Sequence, residues 1–361
     1  FLIATRTFIY WLDSRNFLPD PSHSWLSEKI LMQRILQHYP VGSTHLGWFI
    51  DEGSGVNLTT KAALPVLASD FFNNLEIWTS IQAETITTEN SPTKVSTQPV
   101  KPHGMALIRP TSEEQQEIFV SFTISDGDNL QFDQHRMLQL WQDKARGAVP
   151  IGWTISPALV EAAPTMAAYY AQSASANDEF IAGPSGAGYM FPSTWPESEL
   201  NSFLKRTGKL MQSMNIKLLE ALDSDFLRDI GLGIISSIAG GDMGFTDEQV
   251  QKRYIQALTP YGLKGLLSGA GRRNPDWHIA AGLPIYRNLG LVGSVGQTVD
   301  FIRDAAKSMT QRPLYLNVYV LAWNMGPSDL KQVVEQLGAG YTFVTPGDLL
   351  ERIAEQAGQS A

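Results

Sequence analysis

The feature that most constrains the fold is a regular alternation of strand-like and helix-like segments that begins at residue 118. Ile118–Ile124 is an apolar, β-branched run long enough for a buried strand. Further helical and strand-like segments follow it as far as a closing helix predicted over residues 346–356. Such alternation produces right-handed crossovers and a parallel sheet. The number of units favours a closed (β/α) TIM-like barrel over an open doubly wound sheet.

The first hundred residues have the pattern of a separate α/β region. The segments predicted there are a strand over 5–12, a helix over 24–37 and a strand over 45–50. Residues 84–104 are rich in Thr, Ser and Pro and have no apolar period, which predicts a linker or a long surface loop. We therefore expect an N-terminal α/β region over residues 1–105, packed on the barrel or supplying its first strands, and a barrel-like domain over residues 106–361.

Composition excludes several classes of protein. The chain has 361 residues, a net charge of −9 and scattered basic residues, so we expect no nucleic-acid partner. No apolar run approaches the roughly 20 residues of a membrane span. The absence of Cys excludes disulfides and thiolate metal sites. Because the chain begins at Phe1 instead of Met, any signal segment would lie outside it, and we expect an extracytoplasmic protein, secreted or periplasmic.

Several signatures of common enzyme classes are missing. Gly186 and Gly188 are followed at the third position by Phe191, so no dinucleotide-binding G-x-G-x-x-G is present. The string at residues 183–187 lacks the last glycine of G-x-S-x-G, and neither H-E-x-x-H nor a phosphate-binding loop occurs. We expect no cofactor and no metal site.

Carboxylates cluster where the predicted strands end. In barrels of this kind the working residues lie at the carboxyl ends of the strands. Asp126 and Asp128 follow one strand, Glu52 follows another, and Glu220 lies at the end of a third, so these four are the candidate catalytic residues. Asn129 could bind substrate beside them. The simpler alternative is that Asp128 or Asn129 only caps the following helix.

Other residues could bind a substrate at the same face. Trp153, Trp195 and Trp323 lie in or near strand ends and could stack on the apolar faces of sugars, although packing in the core is the alternative for any single Trp. Gly188 would let the backbone approach a ligand closely, and Tyr189 would form a wall of the pocket. Asp242 and Arg287 complete the predicted binding set.

Residues 186–192 (GAGYMFP) resemble the motif that names the GxGYxYP family of proposed glycoside hydrolases, except that Phe191 replaces the second Tyr. The strings FTISDGDN, IGW and FVTP, which start at residues 122, 151 and 343, are similar to the same family. The resemblance covers residues 106 to the end, and Trp48 and Glu52 give weaker support in the N-terminal region. It implies a bacterial protein with a carbohydrate substrate, without supplying a catalytic pair.

Three functions are therefore open. The first is a glycoside hydrolase of a poly- or oligosaccharide, with Asp126 or Asp128 in one catalytic role and Glu220 or Glu52 in the other. The second is a carbohydrate-binding protein that breaks no bond. The third is a polysaccharide deacetylase, which we rank last because only His135 lies near Asp126 and no His-x-x-x-His pair exists. The sequence does not indicate an oligomeric state.

Overall fold

The computed structural model describes residues 5–14, 25–81, 117–223, 244 and 246–359. The described residues before 82 form three helices and a small parallel sheet: α1 Trp25–Leu36, β1 His45–Leu46, α2 Glu52–Lys61, β2 Val66–Leu67 and α3 Leu75–Ser80. β1 pairs with β2 in a two-stranded sheet of their own. The N-terminal region therefore supplies no strand to the barrel within the part of the chain described.

Other N-terminal predictions have mixed outcomes. The helix expected over residues 24–37 is confirmed as α1, and the strand expected over 45–50 shortens to the two residues of β1. The strand expected over 5–12 is wrong, because this segment is irregular and is held by a side-chain contact, the 2.7 Å hydrogen bond between Tyr10 Oη and His45 Nε2. The predicted linker over 84–104, with the boundary near 105, lies outside the described residues.

The remaining elements alternate along the chain. They are β3 Ile118–Ile124, a π-helix Phe132–Arg136 that continues into α4 Met137–Trp141, β4 Ile151–Ile155, α5 Leu159–Ala162, α6 Pro164–Ser173, β5 Asp178–Ala182, α7 Glu197–Ser213, β6 Leu218–Ala221, α8 Glu248–Leu258, β7 Gly265–Arg272, β8 Trp277–Ala280, β9 Leu283–Val292, α9 Val295–Ser308, β10 Leu314–Val320, α10 Pro327–Leu337, β11 Thr342–Phe343 and α11 Pro346–Gln359.

Seven parallel strands close into a barrel. Their order is β3, β4, β5, β6, β7, β9, β10, and β10 pairs with both β9 and β3, which joins the two ends of the sheet. β8 extends the sheet as an antiparallel neighbour of β9, and β11 adds a short parallel pairing to β3. The predicted closed (β/α) barrel is confirmed.

The local sequence explains why these segments take these forms. Six of the seven residues of β3 are buried, as expected for a parallel strand covered on both faces. α7 buries Leu200, Phe203, Leu204 and Met211, an i, i+3, i+4 pattern that faces the barrel. α8 begins where the side chain of Asp247 accepts the Val250 N–H at 2.8 Å.

One large apolar core lies between the barrel and its helices, and a smaller cluster joins the N-terminal region to it. That smaller cluster contains Val56, Val66, Tyr189 and Phe191, so it combines residues from α2 and β2 with residues of the barrel loop after β5. None of the helices in the described ranges is long and apolar enough to cross a membrane.

Candidate active site

The loop after β3 is shaped to present Asp126 and Asp128. Asp126 has a positive φ of 71°, a conformation that is uncommon for a residue with a side chain. Gly127 packs so closely on β4 that an added Cβ would lie 1.6 Å from the Thr154 carbonyl oxygen. Its N–H donates to Thr154 Oγ1 at 3.1 Å. Only glycine fits there, and this contact fixes the two carboxyl groups that flank it.

Asn129 is the helix cap that the simpler alternative predicted. Its Oδ1 accepts the backbone N–H groups of Gln131 at 3.0 Å and Phe132 at 3.3 Å. The adjacent Leu130 N–H donates to the Ala68 carbonyl at 2.8 Å, which ties this loop to the N-terminal region. The amide oxygen is therefore committed to the backbone, and the contacts of Asn129 are those of a cap.

Glu220 lies on the inner face of β6 and is 1% exposed. Asn288 Nδ2 donates to its Oε1 at 3.4 Å, and Asn317 Nδ2 donates to Asn288 Oδ1 at 2.7 Å. The Tyr319 hydroxyl also hydrogen bonds to Glu220. Burial raises the pKa of Glu220 from 4.5 to about 8, the bond from Tyr319 opposes this, and the charge of Asp126 adds to it. Glu220 therefore keeps its proton to a higher pH than an ordinary glutamate does.

Glu52 reaches the same place from the N-terminal region. It is the first residue of α2, just after Asp51, whose carboxylate caps the helix by accepting the Ser54 N–H at 2.8 Å. Tyr189 Oη donates to Glu52 Oε1 at 2.7 Å. The charge of Glu52 raises the pKa of both Asp126 and Asp128. Its carboxyl group therefore belongs to the same electrostatic cluster.

The pKa values of Asp126 and Asp128 are both raised. For Asp128 the causes are burial first, then the charges of Asp126, Glu52 and Glu220. For Asp126 burial again comes first, but hydrogen bonds from Ser125 and the Trp323 indole oppose it by favouring the charged form. Both residues are half-buried as a whole. Burial and the neighbouring charges therefore favour the protonated form of Asp128, whereas the two hydrogen bonds to Asp126 favour its charged form.

Trp323 is the exposed aromatic residue of this site. Its side chain is 46% exposed and packs edge-to-face on Phe132, with ring centroids 5.5 Å apart. The preceding residue is pinned to the loop after β3, because the Ala322 N–H donates to Ser125 Oγ at 3.2 Å. The indole is therefore a flat apolar surface beside Asp126, open to solvent.

The structure places the other two predicted tryptophans in the core. Trp153 is 1% exposed, donates to Asp178 Oδ1 at 2.9 Å and packs on Trp141. Trp195 is 5% exposed and packs on Phe203. Neither ring presents a face to a ligand, so the sugar-stacking prediction is wrong for both. Their apolar bulk covers the outside of the barrel.

Three further predictions need correction. Gly188 packs against Pro65 and the Val66 carbonyl instead of an open cleft, and Tyr189 is only 2% exposed. Arg287 bonds to Asp276 at 2.9 Å. Arg287 and Asn288 are consecutive residues of β9, so their side chains point to opposite faces of the strand. Asn288 faces the inside of the barrel, and Arg287 therefore points away from the carboxyl cluster. Asp242 lies outside the described residues.

Sequence reasoning missed the polar side chains inside the barrel. Tyr319, Asn288 and Asn317 support Glu220, and Ser121 Oγ donates to Asn317 Oδ1 at 2.7 Å below them. The signal was present as polar residues at alternate positions of otherwise apolar strands. Asp133 in the π-helix was missed as well; it is fully buried, and the charge of Asp128 adds to the rise in its pKa.

Two family profiles match the chain. One, described as "GxGYxYP putative glycoside hydrolase C-terminal domain", covers residues 116–354, and the other, "GxGYxYP third domain", covers residues 1–80. The chain belongs to the GxGYxYP family. The resemblance carried by residues 186–192 is thereby confirmed, and the family description assigns these proteins provisionally to the glycoside hydrolases.

Solved structures agree with the barrel. A crystal structure described as a "putative hydrolase" from Bacteroides thetaiotaomicron VPI-5482 is 19% identical, with a TM-score of 0.71. The match covers 92% of this chain and 61% of that one, so this chain spans less than two thirds of its length. A "putative polysaccharide deacetylase" from Mycobacterium smegmatis is 9% identical over 69% of this chain and 94% of its own, with a TM-score of 0.44, too low to carry an argument. No curated protein matches.

The described residues hold no group of three or more His, Asp or Glu side chains arranged to bind a metal ion. His135, the histidine nearest to Asp126 in sequence, contacts Asn73 Nδ2 at 3.2 Å. Nothing in the described ranges therefore favours the deacetylase arrangement over the other two functions.

Proposed function

We propose that this protein is a glycoside hydrolase of a poly- or oligosaccharide in which Asp128 is the general acid and Glu52 is the opposing carboxylate. The observation that carries the proposal is the cluster itself: the charges of Asp126, Glu52 and Glu220, which come from three parts of the chain, raise the pKa of Asp128, and the exposed Trp323 hydrogen bonds to Asp126. Glycoside hydrolysis needs one protonated and one charged carboxyl group at the scissile bond.

The environments of the acids support different roles. The pKa of Asp128 is raised well above its ordinary value, which favours a proton donor, and the residue as a whole is half-buried. Glu52 is also partly open and comes from a different element, so the two could lie on opposite sides of a glycosidic bond. Glu220 is too buried to touch a substrate, and its role would be to set the charge of the cluster.

A sugar is the substrate class that these groups suit. The half-exposed Trp323 offers a face for the C–H side of a pyranose, while Asp126 and Asp128 can bond its hydroxyl groups. Polysaccharides are encountered outside the cytoplasm, so we also propose an extracytoplasmic location, which cell fractionation would test.

The test is glycan cleavage by four variants. Asp128→Asn and Glu52→Gln keep side-chain size but cannot exchange a proton, so we expect each to lower kcat by at least about 100-fold. Trp323→Ala should weaken glycan binding with a smaller effect on kcat. Glu248→Gln, which removes an exposed carboxylate paired with Lys252, is the control and should match the wild type.

A non-catalytic carbohydrate-binding protein is the competing function, and the exposed Trp323 is compatible with it. It predicts glycan affinity that falls in Trp323→Ala, with no products after long incubation of the wild type. Cleavage that survives both carboxyl substitutions would instead refute the proposed acid pair.

A further inference from the structure

The backbone of the family motif is paired to the N-terminal region. The Tyr189 N–H donates to the Val66 carbonyl at 2.7 Å, and the Val66 N–H donates to the Tyr189 carbonyl at 2.9 Å, an antiparallel bridge beside β2. Gly188 has a φ of +115°, and an added Cβ would lie 2.9 Å from the Pro65 side chain. Glycine is required because the two segments meet backbone to backbone.

The motif also holds both ends of α2. Its Phe191 N–H donates to Thr60 Oγ1 at 3.1 Å, near the end of the helix. At the other end, Tyr189 Oη donates to Oε1 of Glu52, the first residue of the helix, at 2.7 Å. Two contacts separated by most of a ten-residue helix fix its position and its direction relative to the barrel.

The Tyr189 ring itself has little freedom. It stacks on Trp48, with centroids 6.1 Å apart and planes 18° apart, and meets Phe191 edge-on at 5.6 Å. The side chain is 2% exposed. A buried ring clamped on two sides delivers its hydroxyl group to one place, and the oxygen that it meets there is that of Glu52.

We propose that Tyr189 is a positioning residue, which clamps α2 to the barrel so that Glu52 from the N-terminal region completes the carboxyl cluster of the barrel. This inference rests on the proposed function for its catalytic consequence. The barrel domain alone would then lack one of its acids. The family motif would act by assembling the site from two regions of the chain, without touching the substrate.

The test is a double-mutant cycle between Tyr189→Phe and Glu52→Gln. Tyr189→Phe removes only the hydroxyl group, so we expect kcat to fall about 10-fold to 100-fold, the loss typical of a hydrogen bond to a charged group, with KM little changed. If the hydroxyl acts through Glu52, the double variant is no slower than Glu52→Gln alone. Losses that multiply would overturn the positioning role.

Tyr286→Phe is the matched control. Tyr286 is fully buried in the barrel, and its hydroxyl donates to the Tyr315 carbonyl at 2.8 Å, away from Glu52. Its loss of stability should be similar, whereas its effect on activity should be small and should multiply with that of Glu52→Gln. A Tyr286→Phe variant coupled as strongly as Tyr189→Phe would show a merely structural effect and refute the proposal.

A substrate-free measurement separates this inference from the proposed function. The carboxyl ¹³C resonance of Glu52, assigned by its loss in Glu52→Gln, should shift in Tyr189→Phe and stay unchanged in Tyr286→Phe. An unshifted resonance would overturn the inference even if glycans are cleaved. If the wild type cleaves no glycan, the proposed function fails while the resonance still decides whether Tyr189 positions Glu52.

Discussion

Replacing Glu220 by Gln should make the protein progressively more stable than the wild type as pH rises. Glu220 is 1% exposed, and its pKa is raised from 4.5 to about 8, first by burial and then by the charge of Asp126. Gln keeps the side-chain size and an oxygen to accept the bond from Asn288, 3.4 Å away. It cannot ionise, so the substitution removes the titration and little else.

The sign follows from the direction of the shift. A carboxyl group with a raised pKa in the folded state binds its proton more tightly there than in the unfolded chain. Its stabilising effect is complete below pH 4.5 and is lost as pH rises through about 8. At about 1.4 kcal/mol per unit of pKa, the largest loss of stability that this shift could cause is roughly 5 kcal/mol. The effective dielectric constant inside proteins is higher than that of a dry interior, so we expect a smaller effect of about 2–3 kcal/mol.

The assay is urea unfolding followed by tryptophan fluorescence at about pH 5 and about pH 8. Most of the stability change linked to Glu220 falls between these two pH values. The free energies of unfolding of the two proteins should lie within about 1 kcal/mol at the lower pH and separate at the higher pH. Glu248→Gln, at an exposed residue of α8, should show no such divergence. A difference between Glu220→Gln and wild type that stays constant or shrinks with pH would refute the reasoning.

Two other substitutions test the loop and the helix beside the site. Gly127→Ala should destabilise the fold by about 3 kcal/mol, since its Cβ would lie 1.6 Å from the Thr154 carbonyl oxygen. Gly296→Ala, in an open position of α9, is its control, and thermal unfolding measures both. Asp133→Asn should flatten the fall in stability as pH rises above the ordinary carboxyl range, because burial and the charge of Asp128 raise the pKa of this residue well above its usual value. Equal pH dependence of urea unfolding in variant and wild type would contradict this.

The barrel was predictable because its signal is periodic. Ile118–Ile124 is mostly apolar and rich in β-branched and aromatic residues, which is typical of a strand covered on both faces. The rule that places working residues at the carboxyl ends of strands then selected Asp126 and Asp128, which follow β3 directly. Their grouping with Glu220 is a consequence of closure, because β3 and β6 contribute to one ring of strands.

The tryptophans show what a linear pattern does not contain. Trp153 and Trp323 both lie in or beyond apolar strands, yet one is 1% exposed and the other 46% exposed. Alternation along β4 puts Trp153 and Thr154 on opposite faces, but the sequence does not state which face is the interior of the barrel. Thr154 accepts a hydrogen bond from Gly127 in the loop after β3. Trp153 lies on the opposite face of β4 and packs on Trp141 of α4.

Glu52 was identified by a rule that does not apply to it. The prediction treated it as the residue after a barrel strand, but β1 belongs to a separate sheet and Glu52 begins a helix. It reaches the carboxyl cluster because the N-terminal region docks on the loop that contains Tyr189. Contacts between residues 137 positions apart in the chain leave no trace in local periodicity. If Glu52 is catalytic, docking of the N-terminal region on the barrel is a condition of activity, and substitutions at the Tyr189–Val66 bridge should lower kcat before they unfold the barrel.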